Sequence, residues 1–289
     1  MSSRATAVLF DVPGPRSRRR YRIYGVVAAV VVGLALWWLI KRLADTGQFN
    51  AAKWDVFTYE QVRSDLLAGL KNTLKAFGLG SVLALAFGTV FAAGRLSDHR
   101  WLRWPATAVV ELFRAIPLVI MIFLIYYGLT DGKEKLWSLA IGLMLYNGSV
   151  LAEVFRAGVN AVPRGQSEAA AALGMRKSQV MVSILLPQAL RTMLPAILSQ
   201  LVVLLKDTAL GFLIVYDELL DQGKDLFDDF QFERPVIPVS IVVAVIYIIM
   251  CALLSLLAYM LERRLRRSPK TADIPVEAEG ELKAIGAQE

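Results

Sequence analysis

Long apolar runs separated by short charged stretches dominate this chain of 289 residues. Residues 23–40 contain 18 positions without a charge, and residues 235–261 contain 27. Because a helix rises 1.5 Å per residue, about 20 apolar residues cross the core of a bilayer. The pattern predicts an all-α, polytopic membrane protein with six transmembrane helices. We expect these spans at about residues 23–40, 66–94, 105–130, 136–152, 188–215 and 235–261.

The charges between these runs differ in sign from one side of the predicted membrane to the other. Basic residues collect in residues 16–22, 95–104, 153–187 and 263–267. The loop at 217–234 instead carries seven acidic residues against Lys224 and Arg234. Because cytoplasmic loops are enriched in Lys and Arg, we expect both termini in the cytoplasm. The N-terminal segment 1–22 and the tail 262–289, expected to be disordered, would then flank the membrane domain 23–261.

Composition agrees with a membrane protein and excludes several kinds of site. The chain is 56% hydrophobic and 20% charged, with a mean hydropathy of +0.51. A single histidine, His99, and a single cysteine, Cys251, argue against a metal site, a histidine-based catalytic triad and an internal disulfide. The net charge of +7 follows the cytoplasmic bias and does not indicate nucleic acid. A signal peptide is the alternative for residues 23–40, but no small-residue cleavage site follows them.

The longest polar interruption in the second half of the chain, residues 153–187, carries helix signals of its own. Ser167 is a good N-cap, and Glu168 suits the positive start of a helix. The alanine-rich residues that follow favour helix, and Gly174 is a natural stop because glycine adopts the left-handed conformation readily. Residues 176–186 can form a second helix. From these signals the segment is either an ordinary basic loop or a docking element at the membrane face.

A signature within this segment resembles that of permease subunits of bacterial ATP-binding-cassette importers. Further blocks, in chain order, are similar to the polar amino acid branch of that family, and the resemblance covers about residues 66–261. Alanine stands at Ala115 and Ala209, where the branch more often has glycine and serine. The signature positions are Glu168, Ala169, Ala170, Gly174, Ile184, Leu186 and Pro187. The blocks are GLKNTL (69–74), ELFRAIPL (111–118), EVFRAG (153–158), GQSEAAAALG (165–174), PQALRTMLP (187–195) and KDTAL (206–210).

The resemblance implies a type I importer permease fold and a subunit that works in a complex. Two cytoplasmic ATP-binding subunits would bind ATP and Mg²⁺, because this chain lacks a phosphate loop and should bind no cofactor or metal. An extracellular binding protein would deliver the amino acid, and a second permease would complete the pathway, with a related chain favoured over a second copy of this one. No catalytic residue is expected. Coupling to the ATPase is assigned to Ser167, Glu168, Ala169, Ala170, Gly174, Met175, Arg176 and Gln179.

Charged and polar residues inside the predicted spans are candidates for the substrate pathway or its gate, because such residues are costly in a membrane. Two pairs have helical i,i+3 spacing and can form ion pairs near the cytoplasmic side, although substrate contact or snorkelling would also explain them. Lys206 is expected in the outer half, where it either snorkels or, with Thr208, lines the cavity for the substrate's carboxylate. Side chains such as Tyr146 and Asn147 either face a cavity or bond between helices. The candidates are Glu111, Arg114, Tyr146, Glu153, Arg156, Lys206, Asp207 and Thr208.

Three functions remain open on the sequence. The first is an ATP-driven importer subunit in the bacterial plasma membrane. Glutamate is its favoured substrate, because the extra first helix and the acidic loop resemble actinobacterial glutamate-type permeases. Glutamine, aspartate or another polar amino acid is the alternative. The second is a self-contained secondary transporter, whose usual inverted halves are not evident. The third is a membrane anchor, which leaves the charges within the spans unexplained. The acidic loop either docks the binding protein or is merely solvated, and the basic residues after 261 contact membrane lipids.

Overall fold

The computed structural model describes residues 14–227 and 233–266, and within them it contains helices and no strand. Five helices are long and apolar enough to cross a membrane, or six if the bent pair α3–α4 counts as one span, which confirms the all-α membrane class. The predictions for residues 1–13 and 267–289 and for Asp228 and Asp229 lie outside the described residues. The α-helices are α1 (Pro15–Asp45), α2 (Glu60–Leu96), α3 (Arg100–Ala115), α4 (Leu118–Gly128), α5 (Lys135–Asn160), α6 (Arg164–Ala172), α7 (Lys177–Val180), α8 (Leu186–Asp207), α9 (Leu219–Asp225) and α10 (Val236–Arg266). Ala51–Thr58 and Thr208–Ile214 are 3₁₀-helical, and Met181–Leu185 is π-helical.

The part of the chain up to Val62, with residues near the start of α10, forms a small unit of its own. No residue of α1 is buried, so its apolar surface is open along the whole helix. The Asn50 side chain accepts a hydrogen bond from the Ala52 amide at 3.2 Å and caps the 3₁₀-helix that follows. Trp54 and Phe57 of that helix pack with ring centroids 6.1 Å apart.

In the larger unit, α2 and α5 pack closely and run in the same direction. A Cβ at Gly80 would lie 3.1 Å from Leu143, and one at Gly88 would lie 2.9 Å from Leu151. From the first contact to the second, the residue number rises by eight on each helix. The two helices are therefore parallel. The chain must therefore cross back once between α2 and α5.

That return crossing is the helix pair α3–α4, which the sequence predicts as one span at 105–130. The structure divides it into two helices that meet at a bend of 100°. Ile116 adopts an extended conformation with ψ 126°, which the proline after it favours. Pro117 is the N-cap of the second helix and has no amide hydrogen to donate. The break therefore lies at the Ile116-Pro117 step.

Helix α8 returns antiparallel to α5. Gly158 approaches Met193 at the end where α8 begins, and Gly211, just past α8, approaches Leu139 near the start of α5. Leu139, Leu143, Leu151 and Leu204 are fully buried in the core between these helices. One face of α8 packs against this core, and the opposite face is exposed.

Residues 153–187, the predicted coupling segment, form a helix, a glycine turn and a second helix after the end of α5, but the first of these helices begins earlier than expected. Helix α6 starts at Arg164 after Pro163, so the prediction that Ser167 is an N-cap is wrong. The Ser167 hydroxyl lies inside the helix and donates to the Arg164 carbonyl at 2.7 Å. Pro163 takes the cap position because its fixed φ suits a helix start and its missing N–H costs nothing there.

The turn at Gly174 has the predicted left-handed conformation, with φ +76°. The amides of Gly174 and Met175 donate to the carbonyls of Ala171 and Ala170, at 2.9 and 3.2 Å, which is the Schellman pattern of a helix end. The second helix begins at Lys177 and continues through the π-helical turn into α8. Pro187 lies within this continuous helix, so the coupling segment and the next span form one element of 38 residues.

Candidate functional site

The coupling segment presents an exposed surface on a rigid turn. Glu168, Ala169, Arg176 and Gln179 are exposed, whereas Ala170 is buried against the rest of the chain. Leu173 is 83% exposed at the tip, next to Gly174. The Arg176 amide donates to the Gln179 side-chain oxygen at 2.8 Å and caps the second helix. An apolar tip on a well-capped turn is the geometry that a groove on a partner can hold.

The two predicted ion pairs form, and a third arginine joins them. Glu111 lies 3.5 Å from the Arg114 guanidinium, and Glu153 accepts two hydrogen bonds from Arg156, at 2.5 and 3.2 Å. Arg95, at the end of α2, contacts Glu111 at 3.2 Å and Glu153 at 3.0 Å. We call these five residues the arginine cluster. It links α2, α3 and α5 and carries three positive and two negative charges.

The sequence gives little sign of Arg95. It reads as one of several basic residues in the loop 95–104. Its side chain is only 8% exposed, because it points back between α3 and α5. A single Arg directly after an uncharged run, followed by acidic residues in the next two spans, is the signal that would have indicated it.

A further ion pair lies between the α2–α3 turn and the coupling segment. Lys177 at the start of α7 donates to the Asp98 carboxylate, and both side chains are about two-thirds exposed, at 67 and 68%. The hydrogen bond and the charge of Lys177 lower the pKa of Asp98. Nothing in the spacing of residues 98 and 177 predicts this contact.

Of the predicted residues near the end of α8, Lys206 lies on the open face and the others face the core. From Thr192 onward, the exposed positions of α8 fall every three or four residues and form one stripe. Thr208 is fully buried, and its hydroxyl donates to the Leu205 carbonyl at 2.6 Å. Tyr146 is half-buried against the core. The stripe consists of Thr192, Ala196, Ser199, Val203 and Lys206.

Asp207 belongs to a polar chain between α5 and α8. The Asn147 amide donates to Asp207 at 3.2 Å, and the Gln200 amide donates to Asn147 at 2.7 Å. Interhelical hydrogen bonding by Asn147 is therefore confirmed, while Ser149 bonds its own helix at the Leu145 carbonyl. Within residues 14–227 and 233–266, no Lys, Arg or His nitrogen lies within 4.0 Å of the Asp207 carboxylate. Its only recorded partner is neutral.

The start of the acidic loop is part of the core rather than solvated. Glu218 is fully buried and Asp221 is 3% exposed. The Glu218 carboxylate accepts from the amides of Leu220 and Asp221, both at 2.9 Å, and from the Tyr247 hydroxyl at 2.7 Å. Burial raises the pKa of Glu218 to about 7. Glu218 therefore fixes the turn before α9 to α10.

The GLKNTL block supports the same turn from α2. The Asn72 side chain donates to the Asp217 carbonyl at 2.8 Å, and the Thr73 hydroxyl accepts from the Leu219 amide at 3.1 Å. A Cβ at Gly69 would lie 2.9 Å from the Leu219 Cα, so glycine is needed for the close approach. Polar residues of this block thus form hydrogen bonds with backbone groups of the buried turn that would otherwise lack a partner.

Comparisons with known proteins agree with this arrangement. Residues 84–267 match the family described as "Binding-protein-dependent transport system inner membrane component". The glutamate transport system permease protein GluD of Corynebacterium glutamicum is 41% identical over 231 residues, which cover 78% of this chain and 84% of that protein. The arginine transport system permease protein ArtQ of Bacillus subtilis is 29% identical, over 70% of this chain and 92% of that protein.

Solved structures show the same fold. A crystal structure of an amino acid ABC transporter with histidines has a TM-score of 0.66 and 29% identity, and the match covers 73% of this chain and 98% of that chain. The MetNI methionine ABC transporter in an inward-facing conformation has a TM-score of 0.59 at 21% identity, over 72% of this chain and 99% of that chain, and supports the fold alone. The family match covers well over half of the sequence and includes the coupling segment. The chain therefore belongs to the family of binding-protein-dependent transport system inner membrane components.

Proposed function

We propose that this chain is the permease subunit of an ATP-driven importer and forms the translocation pathway for a polar amino acid, with glutamate as the first candidate. The observation that carries the proposal is the continuous helix from Lys177 to the end of α8. It joins an exposed docking turn directly to the stripe that ends at Lys206. A displacement of the coupling segment therefore moves the face of α8 that would line the pathway.

Glutamate is the first candidate because of sequence similarity to a glutamate permease and because of the positive charge of Lys206. GluD of Corynebacterium glutamicum is named for glutamate transport, and it matches most of this chain. Lys206 supplies a cation on the open face of α8, which suits a substrate carboxylate. Glutamine and aspartate are the alternatives, since they share the same backbone groups.

Partners of this chain would supply the energy and the substrate. Two cytoplasmic subunits would bind ATP with Mg²⁺ and hydrolyse it, while this chain, which lacks a phosphate-loop motif, would bind neither. An extracellular binding protein would deliver the amino acid. A related permease chain would complete the pathway, membrane lipids would surround it, and nucleic acid would play no part.

The arginine cluster would organise the inner gate. Its members lie at the end of α2, in the last turn of α3 and in the second half of α5, and Glu111 and Arg114 are partly exposed. The Arg95 side chain is only 8% exposed, so breaking its contacts would leave a largely buried charge unpaired. The cluster would therefore keep the three helices together while the pathway opens and closes.

The test is uptake by the assembled complex in proteoliposomes, with a panel of radiolabelled amino acids. We expect uptake that needs ATP and the binding protein, with glutamate transported best. Uptake driven by an ion gradient without ATP would overturn the proposal and favour a secondary transporter. Preference for another amino acid under ATP would change the substrate and keep the importer.

Lys206→Ala tests the pathway residue itself. If Lys206 receives the substrate carboxylate, the variant should lose about tenfold or more of uptake, since a hydrogen bond to a charged group contributes about 1.5–3 kcal/mol. Lys71→Ala is the matched control, because it removes an exposed lysine from α2 with no recorded partner in the described residues. Assembly should be normal in both. Uptake by Lys206→Ala equal to that of the control would show that Lys206 only snorkels to the surface.

A further inference from the structure

The short turn between α2 and α3 contacts both the coupling segment and the membrane helices. Asp98 in this turn pairs with Lys177, at the start of the helix that continues into α8. Three residues earlier, Arg95 pairs with Glu111 of α3 and Glu153 of α5. The two contacts lie at opposite ends of one four-residue stretch, residues 95–98.

The backbone of this stretch is hydrogen-bonded, so its two ends move together. The Ser97 amide donates to the Gly94 carbonyl at 3.2 Å, and the His99 amide donates to the Ser97 hydroxyl at 3.2 Å. Gly94 itself packs against α3, where a Cβ would lie 2.9 Å from Ala106. A displacement of Asp98 is therefore passed to Arg95 instead of being absorbed by a loose loop.

From this geometry we infer that residues 95–98 form a second mechanical connection, which carries motion of the coupling segment through Lys177, Asp98 and Arg95 to the last turn of α3 and to α5 at Glu153. This inference rests on the proposed importer function. The direct route, through the helix from Lys177 into α8, moves one wall of the pathway. The route through residues 95–98 would move α3 and α5 at the same step.

The residue types suit these two positions. Arg95 can contact two carboxylates on two helices because its planar guanidinium presents separate donors in a fixed fork, which a lysine ammonium does not. Its side chain is 8% exposed, so the contacts are shielded from solvent. Asp98 and Lys177 are mostly exposed, and an exposed ion pair forms and breaks easily. Arg95 and Asp98 are thus positioning residues. The contacts of Arg95 are lasting, whereas the ion pair of Asp98 can form and break.

The first experiment is a double-mutant cycle on the exposed pair, where loss of folding is not expected. Asp98→Asn, Lys177→Gln and the double variant are compared in the assembled complex with binding protein, glutamate and ATP. The readout is the number of amino acids transported per ATP hydrolysed, which a purely structural contact would not change. We expect this ratio to fall about two- to fivefold in each single variant, in line with an exposed ion pair.

The double variant should fall no further than either single variant, because both remove the same contact. Arg100→Gln, an exposed basic residue at the start of α3 with no recorded partner in the described residues, is the control and should keep the wild-type ratio. Wild-type ratios in Asp98→Asn and Lys177→Gln would overturn the inference. Additive losses in the double variant would also overturn it, because the two residues would then act separately.

The second experiment addresses Arg95. Arg95→Lys keeps the charge and loses the fork, so it should uncouple transport from ATP hydrolysis by at least as much as the exposed-pair variants. Adding Asp98→Asn to Arg95→Lys should cause no further loss, because the route is already interrupted. A further loss of the same size would mean that the two contacts belong to separate routes. Failure of the proposed function is a different result, since the wild-type complex would then show no ATP-dependent uptake.

Discussion

At the scale of single residues, burial changes the role of charged side chains that the sequence places in loops. Glu218 belongs by sequence to an acidic loop, yet it is fully buried and accepts three hydrogen bonds. Burial disfavours the charged form of a carboxyl group, and the pKa of Glu218 rises from its ordinary 4.5 to about 7. The turn before α9 is therefore held by a group that titrates near neutral pH.

The stability of the protein should depend on pH through Glu218. Because its pKa is higher in the folded state, Glu218 binds a proton more tightly there than in the unfolded chain. Its contribution is therefore most favourable below about pH 4.5 and is lost as pH rises through about 7. The shift corresponds to about 3 kcal/mol. We expect the melting temperature of the detergent-solubilised complex to fall over this range.

Glu218→Gln should remove most of that dependence, because the glutamine side chain does not titrate in this range. Asp217→Asn, at the exposed neighbour, is the matched control and should melt with the same pH dependence as the wild type. Parallel melting curves for Glu218→Gln and the wild type across the whole range would show that another group titrates.

At the same scale, the sequence indicates which charges are unusual but not which of them meet. Spacing alone predicts the pairs Glu111–Arg114 and Glu153–Arg156, because residues three apart share a helix face. Arg95, Asp98 and Gln200 find partners on other helices, at separations of 16 to 79 residues. Such contacts depend on helix packing, which hydropathy does not specify. From the sequence alone, Arg95 and Asp98 therefore cannot be distinguished from the other residues of a basic loop.

At the scale of helices, glycines set how closely elements approach. A Cβ at Gly69 would meet the Leu219 backbone at 2.9 Å, whereas one at Gly78, in the same helix, would meet nothing within 4 Å. Gly69→Ala should therefore cost about 1–3 kcal/mol through overpacking. Gly78→Ala should be neutral or gain up to about 1 kcal/mol, because alanine favours helix. Melting of the purified complex distinguishes the two, and equal effects would show that the approach at Gly69 can relax.

The turn at Gly174 allows a prediction about backbone conformation. Its φ of +76° is open to glycine and, less readily, to asparagine, whereas a β-branched residue there is strained. No atom lies within 4 Å of a Cβ at this position, so any effect would come from the backbone rather than from a clash. Gly174→Val should reduce ATP-dependent uptake strongly and Gly174→Asn only mildly. If the two variants behaved alike, the left-handed turn would not matter for coupling.

Helix ends illustrate where sequence signals compete. Gly174 ends α6 as predicted, but Pro163 displaces Ser167 from the N-cap position.

A proline within a predicted span does not by itself indicate whether the helix breaks there. Pro105 and Pro195 lie inside helices, whereas Pro117 coincides with a bend of 100°. The break after Ala115 depends on Ile116 leaving the helical region, and packing, not composition, decides at which proline that happens.

At the scale of the whole molecule, packing directions give a topology for the larger unit that is independent of charge counting. Helices α2 and α5 are parallel and α8 is antiparallel to α5, so the bent pair α3–α4 counts as one crossing. The turn after α4 must then face the side opposite to the α2–α3 turn and the α5–α6 connection. By the positive-inside rule, we expect those two basic connections in the cytoplasm.

Cysteine labelling on intact spheroplasts tests this topology and its orientation together. In a Cys251→Ala background, single cysteines would replace Arg100, Lys133 and Ala161, which are all exposed. A membrane-impermeant maleimide should label Lys133→Cys directly, and should label Arg100→Cys and Ala161→Cys only after permeabilisation. The opposite pattern would reverse the orientation. Labelling of both Arg100→Cys and Lys133→Cys from one side would make α3–α4 a re-entrant pair, and the parallel arrangement of α2 and α5 would then be incorrect.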